Sequence, residues 1–378
     1  MMKIYRVGGA VRDALLGLPV QDIDYVVTGS TPEQMIATGY TPVGNDFPVF
    51  LHPTSKAEYA LARTERKSAP GYHGFVFHCD ANVTLEQDLQ RRDLTINAMA
   101  VADQDSSNQT IIDPFGGQRD LAAKVFRHVS DAFSEDPVRI LRLARFAARF
   151  DQFSIAPETM QLMCSMVTSG EVDALVPERV WQEIARGLVE ANPSRLLEVL
   201  HATGALKRII PEFDQSYGLH MRQAVDFAAQ QHQPLAVRWA ALCTAIQPDS
   251  VLKIGDRLRI PADLRDMALL ASREQQQIKG VGTLTADSIV NLLERCDALR
   301  RPARFIETLE SVRCSCLLLP SYFPQLDLLR NALAAAQSTP NSEIARKVAQ
   351  QFPHQPQQIA EHIFAARVVA VQKLLNIN

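Results

Sequence analysis

The sequence predicts an α+β chain, with a mixed module of strands and helices over roughly the first third and an all-helical region over the rest. Three observations predict it. Up to about residue 115, short apolar runs at 4–7, 23–27, 47–51 and 59–62 alternate with glycine and proline punctuation, as strands joined by turns do. From about Leu121 onward apolar residues recur three and four apart, as in Ile140, Leu141, Ala144 and Ala147, and period-two alternation fades. Proline then separates the periodic segments at Asn192-Pro193, Ile210-Pro211, Ile260-Pro261 and Arg301-Pro302, because the residue before proline is pushed out of the α region.

Taken in order, the strand 4–7 enters a turn at Gly8-Gly9 and then a helix over 10–16, stopped by Gly17 as a C-terminal cap. The run 23–27 follows as a second strand, and 47–51 and 59–62 as further ones. Residues 103–109 are polar and read as a solvated turn, Asp103-Gln104-Asp105 included. Asp136 suits the N-cap of a helix and Pro137 its first position. The glutamine-rich stretches near residues 230, 275 and 356 read as helix faces rather than low-complexity tails, and no internal repeat is present.

Composition excludes several classes. The 378 residues are enough for about two to three domains. At 47% hydrophobic and 21% charged residues the chain is neither disordered nor fibrous. A net charge of −3 excludes a uniformly basic surface that holds nucleic acid by bulk attraction, so any such site is a local basic patch. The six cysteines are scattered without a Cys-x-x-Cys pair or histidines at ligand spacing, which argues against a disulfide scaffold or a zinc site and for a reducing cytoplasm. No run approaches the roughly 18 apolar residues of a membrane span, so a soluble, unexported protein is expected.

Three clusters carry chemistry. In the first, Gly8, Gly9 and Arg12 combine a glycine turn, through which backbone N–H groups can approach a polyphosphate, with a cation. Asp22 and Asp24 follow at i and i+2, so that on a strand both carboxylates project from one face while Ile23 points to the other. Paired carboxylates on one face suit two Mg²⁺ ions a few ångströms apart. The second cluster, residues 91–98, sets Arg91 and Arg92 beside Asp93 and Asn97: cations for a triphosphate with polar groups for ribose hydroxyls, or alternatively a solvated helix start with an internal salt bridge. The third begins at Glu135-Asp136 and continues through Arg139, Arg142, Arg145 and Arg149, a basic stripe opposite the apolar face of one helix. Between Arg119 and Arg149 seven basic residues face four acidic ones, a local reversal of the overall charge that favours a nucleotide or RNA contact.

In this order and spacing, GGAVRD, DID, RRDLTINA and EDPVRILRLARFAARF resemble the class II branch of the polymerase-β-like nucleotidyltransferases, and more narrowly a bacterial CCA-adding enzyme, that is, a tRNA nucleotidyltransferase. The resemblance implies a polymerase-β-like head over 1–135, a helical neck over 136–211 that recognises the base, a helical body over 212–290 and a helical tail over 291–378 that binds tRNA. It also implies site roles. Asp22 and Asp24 bind Mg²⁺, and Gly9, Arg12 and Arg92 contact the nucleoside triphosphate. Asp93 reads the ribose, Asp136 and Arg139 read the base, and Arg142 and Arg145 complete the pocket. Residues 63–74, with Arg63, Arg66, Lys67, Pro70, Gly71 and Gly74, look like the family's mobile loop, and equally like an ordinary hairpin loop. Glu58 is a candidate third carboxylate, with Glu86 and Asp88 as competitors and a plain surface charge as the alternative.

The activity so implied is addition of C, C and A to the 3′ end of the tRNA acceptor arm from CTP and ATP, in the cytoplasm. Two alternatives are a bacterial poly(A) polymerase, against which the chain lacks a basic tail, and a catalytically silent RNA-binding remnant, against which Asp22, Asp24, Asp136 and Arg139 are all present. Members of the resembled family in gamma-proteobacteria carry a central HD-type phosphohydrolase domain. Here Thr244 and Ala245 stand where His-Asp is expected, Ser272-Arg273-Glu274-Gln275 replaces another histidine stretch, and His220 alone sits where a first ligand belongs. Residues 212–290 are therefore expected to be a spacer without phosphatase activity.

Overall fold

The computed structural model describes residues 2–20, 22–43, 49–67, 75–103, 110–316 and 322–376, with backbone alone for 65–67 and 75–78. Phe47, the Pro70, Gly71 and Gly74 of the expected loop, and residues 104–109 of the expected turn lie outside the described residues.

The chain opens with β1 (Lys3–Val7) and α1 (Gly9–Leu15), followed by β2 (Asp24–Thr28), α2 (Pro32–Ala37), β3 (Thr41–Val43), β4 (Val49–Leu51) and β5 (Glu58–Leu61). An antiparallel pair, β6 (Thr64–Lys67) and β7 (Phe75–His78), precedes α3 (Leu85–Gln90), β8 (Ala100–Ala102), β9 (Ile111–Ile112) and α4 (Gly117–Ala122). Seven strands form one mixed sheet in the order β3-β4-β5-β2-β1-β8-β9.

Strand β2 is its hub, antiparallel to β1 with Val7 opposite Asp24, and parallel to β5 with Tyr25 opposite Tyr59. Strand alternation sends Val26 and Val27 to opposite faces, and both are buried, so both faces of the sheet are covered. Val7, Val26, Leu89 and Ala98 pack on one side; Val27, Met35, Phe50 and Leu61 pack on the other. Burying each of these larger side chains stabilises the fold by about 1.5–3 kcal/mol. Helix α1 ends where the glycine predicts: Gly17 has φ +68, and Leu18 N–H donates to the Asp13 carbonyl at 2.9 Å while Gly17 N–H donates to that of Ala14, which closes the last turn.

Two boundaries differ from the sequence reading. Strand β2 begins at Asp24, so Asp22 precedes the strand rather than lying on it. Strand pairing also returns within the expected helical region, where β10 (Val125–Phe126) lies parallel to β11 (Ser154–Ile155). Two-residue strands are too short to leave a periodic signal.

The remainder is helical: α5 (Val138–Arg149), then α6 (Pro157–Thr168), α7 (Pro177–Leu188), α8 (Ser194–Ala202), α9 (Ala205–Ile209), α10 (Pro211–Gln215), α11 (Leu219–Gln230), α12 (Leu235–Cys243), α13 (Pro248–Arg257), α14 (Ala262–Lys279), α15 (Ala286–Arg295), α16 (Pro302–Cys314), α17 (Pro324–Gln337), α18 (Asn341–Gln351) and α19 (Gln357–Leu375). The four proline breaks fall at the starts of α8, α10, α14 and α16. Two compact units result: Met1–Glu183 with Glu198–Ile209, and Ile184–Leu197 with Ile210–Asn378. In the second, α12, α14 and α16 pack together around a core in which Trp239 meets Phe213 at 5.4 Å. All six cysteines are free thiols, and burial pushes Cys296 and Cys314 up to about 12.

Candidate active site

The glycine turn gathers the expected site. Gly8 has φ +70 and ψ −129, a conformation closed to most side chains, and its N–H donates to the Met99 carbonyl at 3.1 Å. A Cβ on Gly8 would lie 2.8 Å from Nη1 of Arg92 and 4.0 Å from Oδ2 of Asp24, so backbone turn, cation and carboxylate meet at one point. Arg92 is held there by Asp88, whose Oδ2 lies 3.3 Å from its Nη2. Asp88 is fully buried and also takes Arg91 Nη2 at 2.6 Å and the Arg63 N–H at 3.3 Å. Burial opposes its ionisation, yet Arg91 and Arg92 hold the carboxyl below its ordinary range. Asp88 is thus an anchor for arginines, which removes it as a competitor for the third carboxylate.

Gly8→Ala is expected to force Arg92 aside and to cost about 1–3 kcal/mol of backbone strain. The KM values for CTP and ATP should rise together by roughly tenfold, the effect of about 1.4 kcal/mol of lost binding. Steady-state kinetics alongside thermal melts check this, and unchanged KM values would refute the role of the turn.

Asp22 and Asp24 are both exposed, and neither forms an ion pair among the described residues. Asp24 shares the sheet face of Val26, the face on which Leu89 and Ala98 pack. Glu58 precedes Tyr59 as Asp24 precedes Tyr25, so the two acids hold equivalent positions on neighbouring parallel strands and share a face. Glu86 is exposed in the first turn of α3. No three His, Cys, Asp or Glu side chains among the described residues converge as a closed metal cage. An open pair of hard oxygen donors does fit Mg²⁺, which takes one or two carboxylates and keeps several waters.

The second and third clusters interlock. Asp93 is 7% exposed; Oδ1 accepts from Leu94 N–H at 2.8 Å and Asn97 Nδ2 at 3.0 Å, and Oδ2 accepts from Arg142 Nε at 2.9 Å and Nη2 at 2.7 Å. Burial opposes its ionisation, but Arg142, with help from Asn97 and Arg139, holds its carboxyl well below the ordinary range. These bonds fill the acceptor positions of the carboxylate. In this arrangement Asp93 positions Arg142.

Arg12 is likewise held by groups of the protein itself. It is 3% exposed, with Nε bonded to Asp13 at 2.8 Å, Nη1 to Asn97 Oδ1 at 2.6 Å, and its guanidinium carbon 5.1 and 5.2 Å from the ring centres of Phe146 and Phe150. Burial lowers its pKa. It ties α1 to α5.

The basic stripe of α5 is internally neutralised and is not a free face. Arg142 pairs with Asp93, Arg145 with Glu183 at 2.7 Å, and Arg149 with Asp13 at 3.0 Å. Arg139, 7% exposed, donates Nη1 to the Ala132 carbonyl and Nη2 to that of Arg91, both at 2.7 Å. Asp136 accepts from Val138 N–H at 3.0 Å, although the helix begins one residue later than expected, with Pro137 at its N-cap, and its Oδ2 lies 3.2 Å from Arg179 Nη2.

Arg179 and Glu183 are the supports that the sequence reading missed. They lie four residues apart on α7, so one helix face grips both Asp136 and Arg145. The Pro177-Glu178-Arg179 start with Glu183 a turn later was the available signal.

Of the expected HD remnant, His220 Nδ1 is buried without a hydrogen-bond partner among the described residues, and burial followed by the charge of Lys279 lowers its pKa. Lys279 Nζ donates to Gln275 Oε1 at 2.9 Å, and Gln275 Nε2 donates to the Thr244 carbonyl at 2.6 Å. A lysine cation beside a lone imidazole is a poor setting for a metal.

Comparison with known proteins adds independent findings. The family described as "Poly A polymerase head domain" matches residues 4–127, and that described as "Probable RNA and SrmB- binding site of polymerase A" matches 152–217. The chain is 54% identical to a "Multifunctional CCA protein" of Janthinobacterium sp. (strain Marseille), covering 99% of this chain and 98% of the relative. That alignment spans 411 positions against the 378 residues here, so the relative carries stretches that this chain lacks. Among solved structures, the chain is similar to a Bacillus stearothermophilus CCA-adding enzyme in complex with CTP, at 25% identity, TM-score 0.68 and coverage of 97% and 89%. It is also similar to a Thermotoga maritima CCA-adding enzyme complexed with tRNA, at 25% identity, TM-score 0.64 and coverage of 89% and 78%.

Proposed function

Because the chain belongs to the CCA-adding enzyme family, we propose that it adds and repairs the 3′-terminal CCA of tRNA from CTP and ATP without a nucleic-acid template, releasing pyrophosphate at each step. The observation that carries the reading is a contrast among carboxylates. Asp13, Asp88, Asp93, Asp120 and Asp136 are each bonded to arginines. Asp22 and Asp24 are left exposed and unpaired among the described residues, and Asp24 lies beside Arg92 at the Gly8 turn.

In this reading Asp22 and Asp24 hold Mg²⁺, with Glu58 near enough on its parallel strand to assist. Bound there, the ion supplies Lewis acidity to the acceptor hydroxyl and to the triphosphate oxygens. The chain's own groups do the rest. Arg92 holds triphosphate charge against a turn with no side chain in the way, and the tRNA 3′-hydroxyl displaces pyrophosphate from the α-phosphorus in line, with no covalent enzyme intermediate. Asp93 fixes Arg142, Glu183 fixes Arg145, and Asp136 with Arg139 selects the base. The head spans 1–135, the neck 136–211, the body 212–290 and the tRNA-binding tail 291–378, and the protein works in the cytoplasm. Thr244 and Ala245 where His-Asp is expected, and the charge of Lys279 acting on His220, support reading the body as a spacer without phosphohydrolase activity.

The head-domain match favours a second reading, poly(A) synthesis. Incubation with tRNA lacking its 3′ CCA separates the two: CTP and ATP together should extend it by three nucleotides and stop. Long tails from ATP alone would overturn the proposal.

A further inference from the structure

Six side chains close a circuit that begins and ends on one helix. On α5, Arg149 Nη2 donates to Asp13 Oδ2 at 3.0 Å. Asp13 Oδ1 accepts from Arg12 Nε at 2.8 Å, and Arg12 Nη1 donates to Asn97 Oδ1 at 2.6 Å. Asn97 Nδ2 donates to Asp93 Oδ1 at 3.0 Å, and Asp93 Oδ2 accepts from Arg142 Nε at 2.9 Å, which returns the circuit to α5. Arg142 and Arg149 stand two helical turns apart on one face, so a single rigid element carries both ends.

Asn97 is the one uncharged member, and its two ends are not interchangeable. A guanidinium only donates and an ionised carboxylate only accepts, so the amide oxygen has to face Arg12 and the amide nitrogen Asp93. An aspartate here would set a second acceptor against Asp93, and a leucine would leave both neighbours without a partner. Asn97 is buried, whereas Arg142 reaches the surface in part.

We propose that Asn97 is a positioning residue for the incoming nucleotide: the direction of its two hydrogen bonds sets Asp93, and through Asp93 it aims Arg142 at the nucleotide. The proposal rests on the function given above, in which Arg142 completes the nucleotide pocket. Through Arg12 the same amide is tied to the helix that follows the Gly8 turn, so both ends of the nucleotide site depend on it. The circuit includes neither Asp136 nor Arg139, the proposed base readers. Loss of the amide should therefore weaken CTP and ATP alike and leave the choice between right and wrong bases in place.

Two variants test this. Asn97→Leu keeps the volume and removes both bonds. Asn97→Asp keeps an acceptor for Arg12 but faces Asp93 with a like charge where the 3.0 Å bond stood. Arg12 from α1 and Arg142 and Arg139 from α5 face this pair and favour its ionisation, while mutual repulsion favours one shared proton as the pH falls. Once protonated, the replacement donates to Asp93 as the amide does.

At about pH 8 both variants should raise KM for CTP and for ATP by roughly tenfold, with KM for tRNA and the preference for CTP over UTP kept. Partial unfolding lowers the active fraction and hence kcat, but it does not move KM. At about pH 5.5 the Asn97→Asp values should return to within about threefold of the parent at the same pH, while Asn97→Leu stays raised. Added to Arg142→Ala, Asn97→Leu should raise KM by no more than about twofold further, because it acts through that arginine. Unchanged KM values would overturn the proposal, as would a defect in Asn97→Asp that ignores pH, or full additivity with Arg142→Ala. Should Asn97→Leu fail to fold, Asn97→Asp across the pH range carries the test. If the parent extends no acceptor, the functional reading fails instead, and calorimetric titration with CTP and Mg²⁺ reads the inference by itself: equal affinity in parent and Asn97→Asp at about pH 8 rejects it.

Discussion

Alanine at Asp22 or at Asp24 should abolish C addition and A addition together, lowering kcat by roughly 10³-fold or more, since the variant loses the groups that hold the charge-stabilising ion. Both side chains are exposed and unpaired among the described residues. Their removal should therefore move stability by no more than about 0.5 kcal/mol, so lost activity with an unchanged melting curve identifies a chemical role. Mg²⁺ should be required and chelation should stop turnover reversibly. A variant that lost A addition while keeping C addition would refute the single shared site. Asp88→Ala is the instructive contrast: it should fail by unfolding, because it leaves Arg91 and Arg92 without the buried carboxylate that holds them.

The second large effect concerns base choice. Cytosine and adenine both present an exocyclic amine donor beside a ring-nitrogen acceptor, whereas uracil and guanine present a carbonyl beside a ring N–H. An accepting Asp136 and a donating Arg139 match the first pair and oppose the second. Mismatched polar groups buried without partners allow discrimination on the order of 10⁴. Replacing both residues by alanine should bring the preference for CTP over UTP down toward about 10²-fold or less. The readout is the ratio of kcat/KM values, because Arg139 also carries the Ala132 and Arg91 carbonyls and its loss will lower stability in any case. Strict choice of CTP and ATP by the double variant would remove these residues as readers.

Much of the site is legible in the sequence because its parts are local. A glycine pair before a helix, two aspartates before an apolar strand and an arginine helix after a proline each lie within a few residues, and the elements form where the spacing predicts, although Asp22 falls short of its strand. What was not legible is long-range pairing. Nothing in the spacing of Arg12 reveals that it lies under Phe146 and Phe150, or that the stripe on α5 is matched carboxylate by carboxylate from Asp13, Asp93 and Glu183. A run of arginines looks the same in a sequence whether it awaits a phosphate or is already neutralised. Strands β8 and β9 escaped for a related reason: they are three and two residues long, and their pairing partners are set by the sheet.

The sheet order also sets a timetable for the nascent chain. Strand β1 finds β2 within the first thirty residues, but its other neighbour, β8, is translated nearly a hundred residues later. At about 5–20 residues per second that interval lasts roughly 5–20 s, during which one edge of the strand leading into the glycine turn is unpaired. Arg12 waits for Asn97 over the same interval, and Asp13 waits longer still for Arg149. A chain interrupted before α5 thus already carries Asp22 and Asp24 but has no Arg139 or Arg142, the arginines proposed for the nucleotide pocket, which follow only when that helix has left the ribosome.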